Sequence, residues 1–336
     1  MTLPLDKIEK IAHLVIDVLY TRFESFPDDA STNRNAPFHE AFLSAFQGRL
    51  EKHGTNIPML ISLAHWLHGL NTTLGQTFFE KTSHILCSGD KVEFKDRLYM
   101  STEQQTAVSD IIRDLKNDKR KPNLAEEERL IYQNKVLQDK PVSNFTVDCF
   151  FDDNETVVAI ELKTVKPNSG VFRDEKTKIL SAKAGLKNKY PDKKILFYLG
   201  FPFDPQSTTP TGYDKDAFMD YNVDCRKFFA MDEILLADEL WNFLSGETST
   251  MTQILNIINV IATPQFMDKY KFINTPQNRI EYKERYLQQL EEWKLYSEIR
   301  LVQNDFRLFP NVDKETRKKF NRPPFKDGEY NTDRFN

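Results

Sequence analysis

A chain of 336 residues with 40% hydrophobic and 29% charged residues has enough apolar side chains for one or two ordinary domains and needs no disulfide staples. Its three cysteines, Cys87, Cys149 and Cys225, stand far apart without CxxC or Cys/His spacing, which argues against a structural zinc site or a disulfide framework. The first residues lead into an amphipathic pattern that carries Asp17 and Glu24, so no signal peptide, no membrane span and a cytoplasmic location are expected. No GxxxxGK[ST] is present, which sets a P-loop nucleotide enzyme aside.

In chain order, the first 115 or so residues read as mainly helical. Apolar positions recur at Ile8, Ile11, Ala12, Val15, Val18 and Leu19, and again at Phe38, Phe42, Ala45 and Phe46 behind a helix-starting Pro37. Further helical patterns run through Leu60, Leu63, Ala64 and Leu67, and through Leu74, Phe78 and Ile85. The polar stretch 116–123 is the clearest linker candidate in the N-terminal half.

The composition then changes. Phe145–Phe151 and Thr156–Thr164 are rich in β-branched and aromatic residues and are separated by Asp152, Asp153 and Asn154, a hairpin signature. Arg173–Tyr190 has helical spacing, and Lys194–Phe201 reads as a continuous apolar strand between Pro191 and Pro202. The order is β, β, α, β. Beyond it the pattern predicts a loop at 206–212, one helix over 232–244 ending near Gly246, and helices over 251–261 and 278–299. Residues 310–336 are polar, carry Arg317, Lys318, Lys319 and Arg322, and read as a mobile tail. The expected organisation is a helical region over 1–120, a core over 121–245 and a helical region with a basic tail over 246–336, or one domain containing all three.

Within the hairpin, Asp148 stands in the first strand and Glu161-Leu162-Lys163 in the second, in D-x12-E-x-K spacing. Side chains alternate along a strand, so Glu161 and Lys163 share one face while Ile160 and Leu162 take the other. Taken alone, Glu161 and Lys163 are an ordinary ion pair on a strand, with Asp148 closing the sheet edge. The hairpin, the basic helix and the apolar strand around them favour a catalytic reading. Asp148 and Glu161 would share a magnesium ion, and Lys163 would orient or help deprotonate the attacking water and offset charge on a phosphate.

The net charge of -4 does not suggest a polyanion binder, yet Lys163–Lys194 holds ten Lys/Arg against three acids, a local +7. A solvated helix face would account for that charge equally well.

The motif resembles the PD-(D/E)XK nucleases and, within them, type II restriction endonucleases of the TdeIII family. The likeness rests on Leu74-Gly75-Gln76-Thr77-Phe78-Phe79-Glu80, on Glu161-Leu162-Lys163-Thr164-Val165-Lys166-Pro167-Asn168, and on Glu175-Lys176-Thr177-Lys178-Ile179-Leu180, and covers roughly residues 70–200. Val147 stands where the superfamily name implies proline.

The resemblance implies an α/β (α+β) fold with a restriction-endonuclease-like core, a mixed sheet flanked by helices. It also implies a magnesium-using homodimer that cuts double-stranded DNA at a short, GGNCC-like palindrome and leaves 5′-phosphate and 3′-hydroxyl ends. Glu80 is added as a fourth site residue, a third acid, on the same ground, with a surface helix acid as its other reading. His84, four residues on, is its partner or a core-rim histidine. Lys166 and Asn168, in the turn after Lys163, are expected at the DNA backbone, as are Arg173, Lys176 and Lys183 on the helix that follows. A structure-directed repair nuclease of the same fold and a catalytically silent DNA-binding protein remain open at this point.

Overall fold

The computed structural model describes residues 2–28, 39, 41, 43–95, 97–132, 139–163, 169–222, 224–308 and 313–334. The chain divides into two compact units that each draw on separate stretches of sequence, one from residues 1–3 and 79–253 and the other from residues 4–78 and 254–336. Helices α1 (Leu5–Glu24), α2 (Gln47–Lys52) and α3 (Ile57–Thr73) belong to the second unit and come first in the chain. The expected helix start at Pro37, with Phe38 and Phe42, lies outside the described residues.

The first unit then runs α4 (Glu80–Cys87), β1 (Asp90–Phe94), β2 (Tyr99–Met100), α5 (Thr102–Lys116), α6 (Leu124–Ile131), β3 (Lys140–Pro141), β4 (Phe145–Asp152) and β5 (Thr156–Leu162). After these come α7 (Ser169–Lys189), β6 (Lys194–Phe201), α8 (Lys215–Tyr221), α9 (Cys225–Phe228), β7 (Ile234–Leu236) and α10 (Asp238–Ser245). Five strands form one mixed sheet in the order β1-β4-β5-β6-β7, antiparallel from β1 to β5 and parallel from β5 to β7. The sequence shows why β5 is central: Val157, Val158, Ala159, Ile160 and Leu162 are all buried, and each fully covered Val or Ile contributes about 1.5 to 3 kcal/mol.

Helices cover the sheet. α7 packs on β6 and against α5, and α4 packs on β4 and against α10. Gly200 of β6 lets this layer close, because a Cβ there would meet Ile160 Cγ2 at 2.9 Å and Leu162 Cδ2 and Leu240 Cδ1 at 3.0 Å. Ile160 and Leu162 therefore face α10. The hairpin, the long helix α7 and the strand β6 stand where the sequence pattern sets them.

One expectation needs correction and two gain detail. The stretch read as mainly helical before residue 115 also contains β1 and β2, short strands whose apolar signal is diluted by Asp90, Lys91 and Glu93. The helix expected over 232–244 is instead the strand β7 followed by α10. Ile234, Leu235 and Leu236 suit either state, and parallel pairing with the open edge of β6 satisfies their backbone groups. The 116–123 stretch is a tight connection in which the Asn123 side chain caps α6 by accepting from Glu126 N–H at 2.9 Å.

The second unit adds α11 (Thr250–Ile261), most of whose residues belong to it, then α12 (Phe266–Ile273), α13 (Asn278–Glu281), α14 (Lys283–Glu292), α15 (Tyr296–Leu308) and α16 (Lys314–Phe320). The hairpin β8 (Phe325–Lys326) and β9 (Glu329–Tyr330) closes it. α1 packs on α12 and α15, burying Ile8, Ile11, Ala12, Val15 and Ile16. The segment read as a mobile tail is held in place at its described residues. Phe325 is buried, and Arg334 forms an ion pair with Glu298 in which both side chains are 1% exposed. Among the described residues no helix is long and apolar enough to cross a membrane.

Candidate active site

The register of β4 against β5 pairs Cys149 with Ile160; carried one residue further, it sets Asp148 opposite Glu161. Residues opposite one another across an antiparallel pair share a face, so Asp148 and Glu161 stand on one face of the sheet. The strands part just beyond, and Asp148 Oδ2 accepts the free N–H of Leu162 at 3.0 Å. Lys163 N–H bonds to the Gly200 carbonyl at 2.9 Å, which fixes the end of β5 to β6. The side chain of Glu161 is buried, and its Oε2 has no hydrogen-bond partner among the described residues. A buried carboxylate oxygen without a partner is costly unless a cation completes it.

The other oxygen of Glu161 is saturated. Lys163 Nζ lies 2.9 Å and Lys178 Nζ 3.0 Å from Glu161 Oε1. The same two ammoniums reach Glu175 on α7, Lys163 at 2.9 Å to Oε1 and Lys178 at 2.8 Å to Oε2. Burial by itself would lower the Lys163 pKa, but Glu161 and Glu175 outweigh it and the net displacement is upward. Lys163 is thus held as an ammonium. Burial would raise the Glu175 carboxyl, and Lys178 and Lys163 reverse this, so it lies below the ordinary carboxylate range.

Glu80 opens α4 directly after the π-helical turn Leu74–Phe79, a rare backbone form that recurs at functional sites. It joins the site through Lys91 of β1, whose Nζ is 2.7 Å from Glu80 Oε2 and 3.5 Å from Asp148 Oδ1. The hydrogen bond to Glu80, which outweighs desolvation, raises the Lys91 pKa. His84 is half-buried, as the core-rim reading has it, and its Nε2 lies 2.6 Å from the main-chain carbonyl of Asp148, which steadies β4.

Of the residues expected at the DNA backbone, Lys166 and Asn168 lie outside the described residues. Arg173 is exposed and pairs with Asp174 at 3.1 Å. It lines a concave surface of about 470 Å³ with Arg113, Lys116 and Asn117, away from the paired carboxylates. Lys176 and Lys183 correct the expectation. They are 0% and 1% exposed, Lys176 lies 2.6 Å from both Glu127 Oε2 and Glu233 Oε1, and Lys183 lies 2.5 Å from Glu128 Oε1. Their partners lie far off in sequence, so a local charge count sees bare lysines where the fold has ion pairs.

Lys91, Glu175 and Lys178 are the site neighbours that sequence reasoning did not single out. Glu175 and Lys178 fall inside a quoted motif, and their i, i+3 spacing on the helix that follows β5 is the signal available for them.

Among the described residues no group of three or more His, Cys, Asp or Glu is arranged to hold a metal. Magnesium does not require one, because it commonly keeps several waters and takes one or two carboxylates. Asp148 and the free Oε2 of Glu161 suit that pattern.

A mixed sheet with helices on its faces and an acid, acid, lysine cluster at the end of its central hairpin defines a restriction-endonuclease-like protein. The family model described as type II restriction endonuclease, HinfI, matches residues 4–262, and the chain belongs to that family. It is also 43% identical over 316 residues to the type II restriction enzyme MjaII of Methanocaldococcus jannaschii, covering 88% of this chain and 85% of that protein. No solved structure matches the chain. The type II restriction class expected from the sequence is thereby shown, while the narrower TdeIII likeness rests on its motif residues alone.

Proposed function

We propose that this type II restriction endonuclease is a magnesium-dependent PD-(D/E)XK enzyme in which Asp148, Glu161 and Lys163 form the catalytic centre and Glu80 a supporting acid. The observation that carries the reading is Glu161 itself, a buried carboxylate with one oxygen held by two lysines and the other without a partner among the described residues, across a strand pair from Asp148. Asp148 and Glu161 would hold the magnesium ion. When bound, it supplies Lewis acidity toward a phosphate oxygen.

The protein's own groups do the rest. Lys163, kept protonated by Glu161 and Glu175, serves as a donor that orients the attacking water and offsets charge on the phosphate, rather than as a base. Water oxygen bonds to phosphorus and releases a proton to solvent, the bond from phosphorus to the 3′ oxygen breaks, and that oxygen takes up a proton from solvent, giving 5′-phosphate and 3′-hydroxyl ends. Double-stranded DNA is the substrate, with a short GGNCC-like palindrome as its target. A two-fold homodimer would match such a palindrome by giving each half-site one subunit.

The experiment is incubation of the purified protein with plasmid and phage DNA, with magnesium or with chelator, and sequencing of the fragment ends. Discrete fragments that require magnesium and share one palindrome are expected. Scattered nicking would point to a structure-directed nuclease, and binding without scission to a silent DNA-binding protein; either contradicts the proposal.

A further inference from the structure

The pairing of β1 with β4 is irregular at one place. Asp90 pairs with Phe150 and Val92 with Val147, so two residues of β4, Asp148 and Cys149, stand against the single residue Lys91. A bulge of this two-against-one kind breaks the regular alternation, re-aims side chains and is frequent beside active sites. Here it directs Lys91 at the two carboxylates that reach the site from different elements, Glu80 from α4 and Asp148 from β4. Lys91 is the cation through which they meet. Its side chain is 48% exposed, against 24% for Lys163 and Lys178, so the ammonium can swing into solvent with little loss of packing.

We infer that Lys91 is a placeholder cation, a positioning residue that keeps Glu80 and Asp148 converged in the metal-free protein and yields when a divalent cation takes the carboxylates. The inference rests on the proposed assignment of Asp148 as a metal ligand. Two carboxylates gathered at a partly covered place repel each other, and the ammonium offsets that repulsion without filling the site irreversibly. A divalent ion attracts the same oxygens with twice the charge, so the two cations compete. Binding therefore exchanges one cation for another at a preformed pair of acids, and the resident lysine lowers the affinity that the bare acids would have.

The test is Mn²⁺ binding to the full-length protein without DNA, followed by the electron paramagnetic resonance signal of free Mn²⁺, for the native protein and K91M, K91R, E80Q and D148N. Circular dichroism checks that each variant is folded. Removing the competing charge in K91M is expected to tighten Mn²⁺ binding by ~10-fold or more, and K91R, which keeps a cation there, to stay within ~3-fold of native. E80Q in the K91M background should reverse part of the gain, and D148N should abolish binding in both backgrounds. Unchanged or weaker Mn²⁺ affinity in K91M, alongside loss in D148N, overturns the placeholder alone. A D148N protein that binds Mn²⁺ like the native one overturns the ligand assignment beneath it.

Discussion

Glu175 shows how a residue that need not touch the substrate can set the site. It completes a ring in which two carboxylates and two ammoniums alternate, Glu161, Lys163, Glu175 and Lys178, with every contact between 2.8 and 3.0 Å. If Glu161 holds a metal as proposed, Glu175 is the carboxylate left to hold Lys163. Glu175→Gln should therefore cost roughly 10- to 100-fold in kcat with little change in KM, the usual effect of losing an outer partner of a metal site.

The same substitution should destabilise the protein by about 1 to 3 kcal/mol, the range for a hydrogen bond to a charged group. The carboxyl of Glu175 lies below its ordinary value of 4.5 in the folded state. Stability gained this way is present above the unfolded value and is lost as the pH falls through the folded one. The Tm difference between native protein and E175Q, measured by thermal melts across pH, should be full near neutrality and should close below 4.5. A gap that persists or widens in acid would show that Glu175 is not held as a carboxylate by its lysines.

At the scale of the element, α7 presents three faces. Phe172, Lys176, Ile179, Lys183 and Leu186 recur at spacings of four and three and are all buried, Glu175 and Lys178 face the candidate site, and Arg173, Asp174 and Thr177 face solvent. The spacing was legible in the sequence, and it placed two lysines on the buried stripe. Reading them by residue type as phosphate contacts set charge above periodicity, whereas the fold pairs each with glutamates of α6 or the turn before β7.

Lys176→Met should leave Glu127 and Glu233 buried without a cation, a loss of about 3 to 5 kcal/mol for breaking such a group. A thermal melt should show that drop while the salt dependence of DNA binding stays as in the native protein. A reduced salt slope with unchanged Tm would instead restore Lys176 to the DNA backbone. The hairpin β4–β5 and the strand β6 were legible because each is long and apolar or carries a clear turn. β1, β7 and the bulge at Asp148 were not, since a five-residue charged edge, three apolar residues and a register irregularity leave no periodic trace.

At the scale of the whole molecule, the local +7 between Lys163 and Lys194 is largely answered by acids from elsewhere in the chain, which reconciles it with a net charge of -4. The type II restriction class was legible in the quoted motifs, and strand alternation with hairpin register set Asp148, Glu161 and Lys163 at one end of the hairpin. Closure of the second unit was not legible. Glu9 accepts from Ser297 N–H at 2.8 Å, and Arg334 is anchored on Glu298, contacts between residues remote in sequence that no local pattern announces. The Asp148, Glu161 and Lys163 cluster is proposed to be what cuts DNA. The most direct measurement is the single-turnover rate at which D148N, E161Q and K163A cleave one duplex carrying the mapped site in magnesium, with folding and duplex binding checked for each variant. The expected result is folded, DNA-binding variants slowed by roughly 10³-fold or more, in keeping with the loss of a principal charge-stabilising group. A folded variant of any of the three that cleaves within about tenfold of the native rate, far short of that loss, would contradict it.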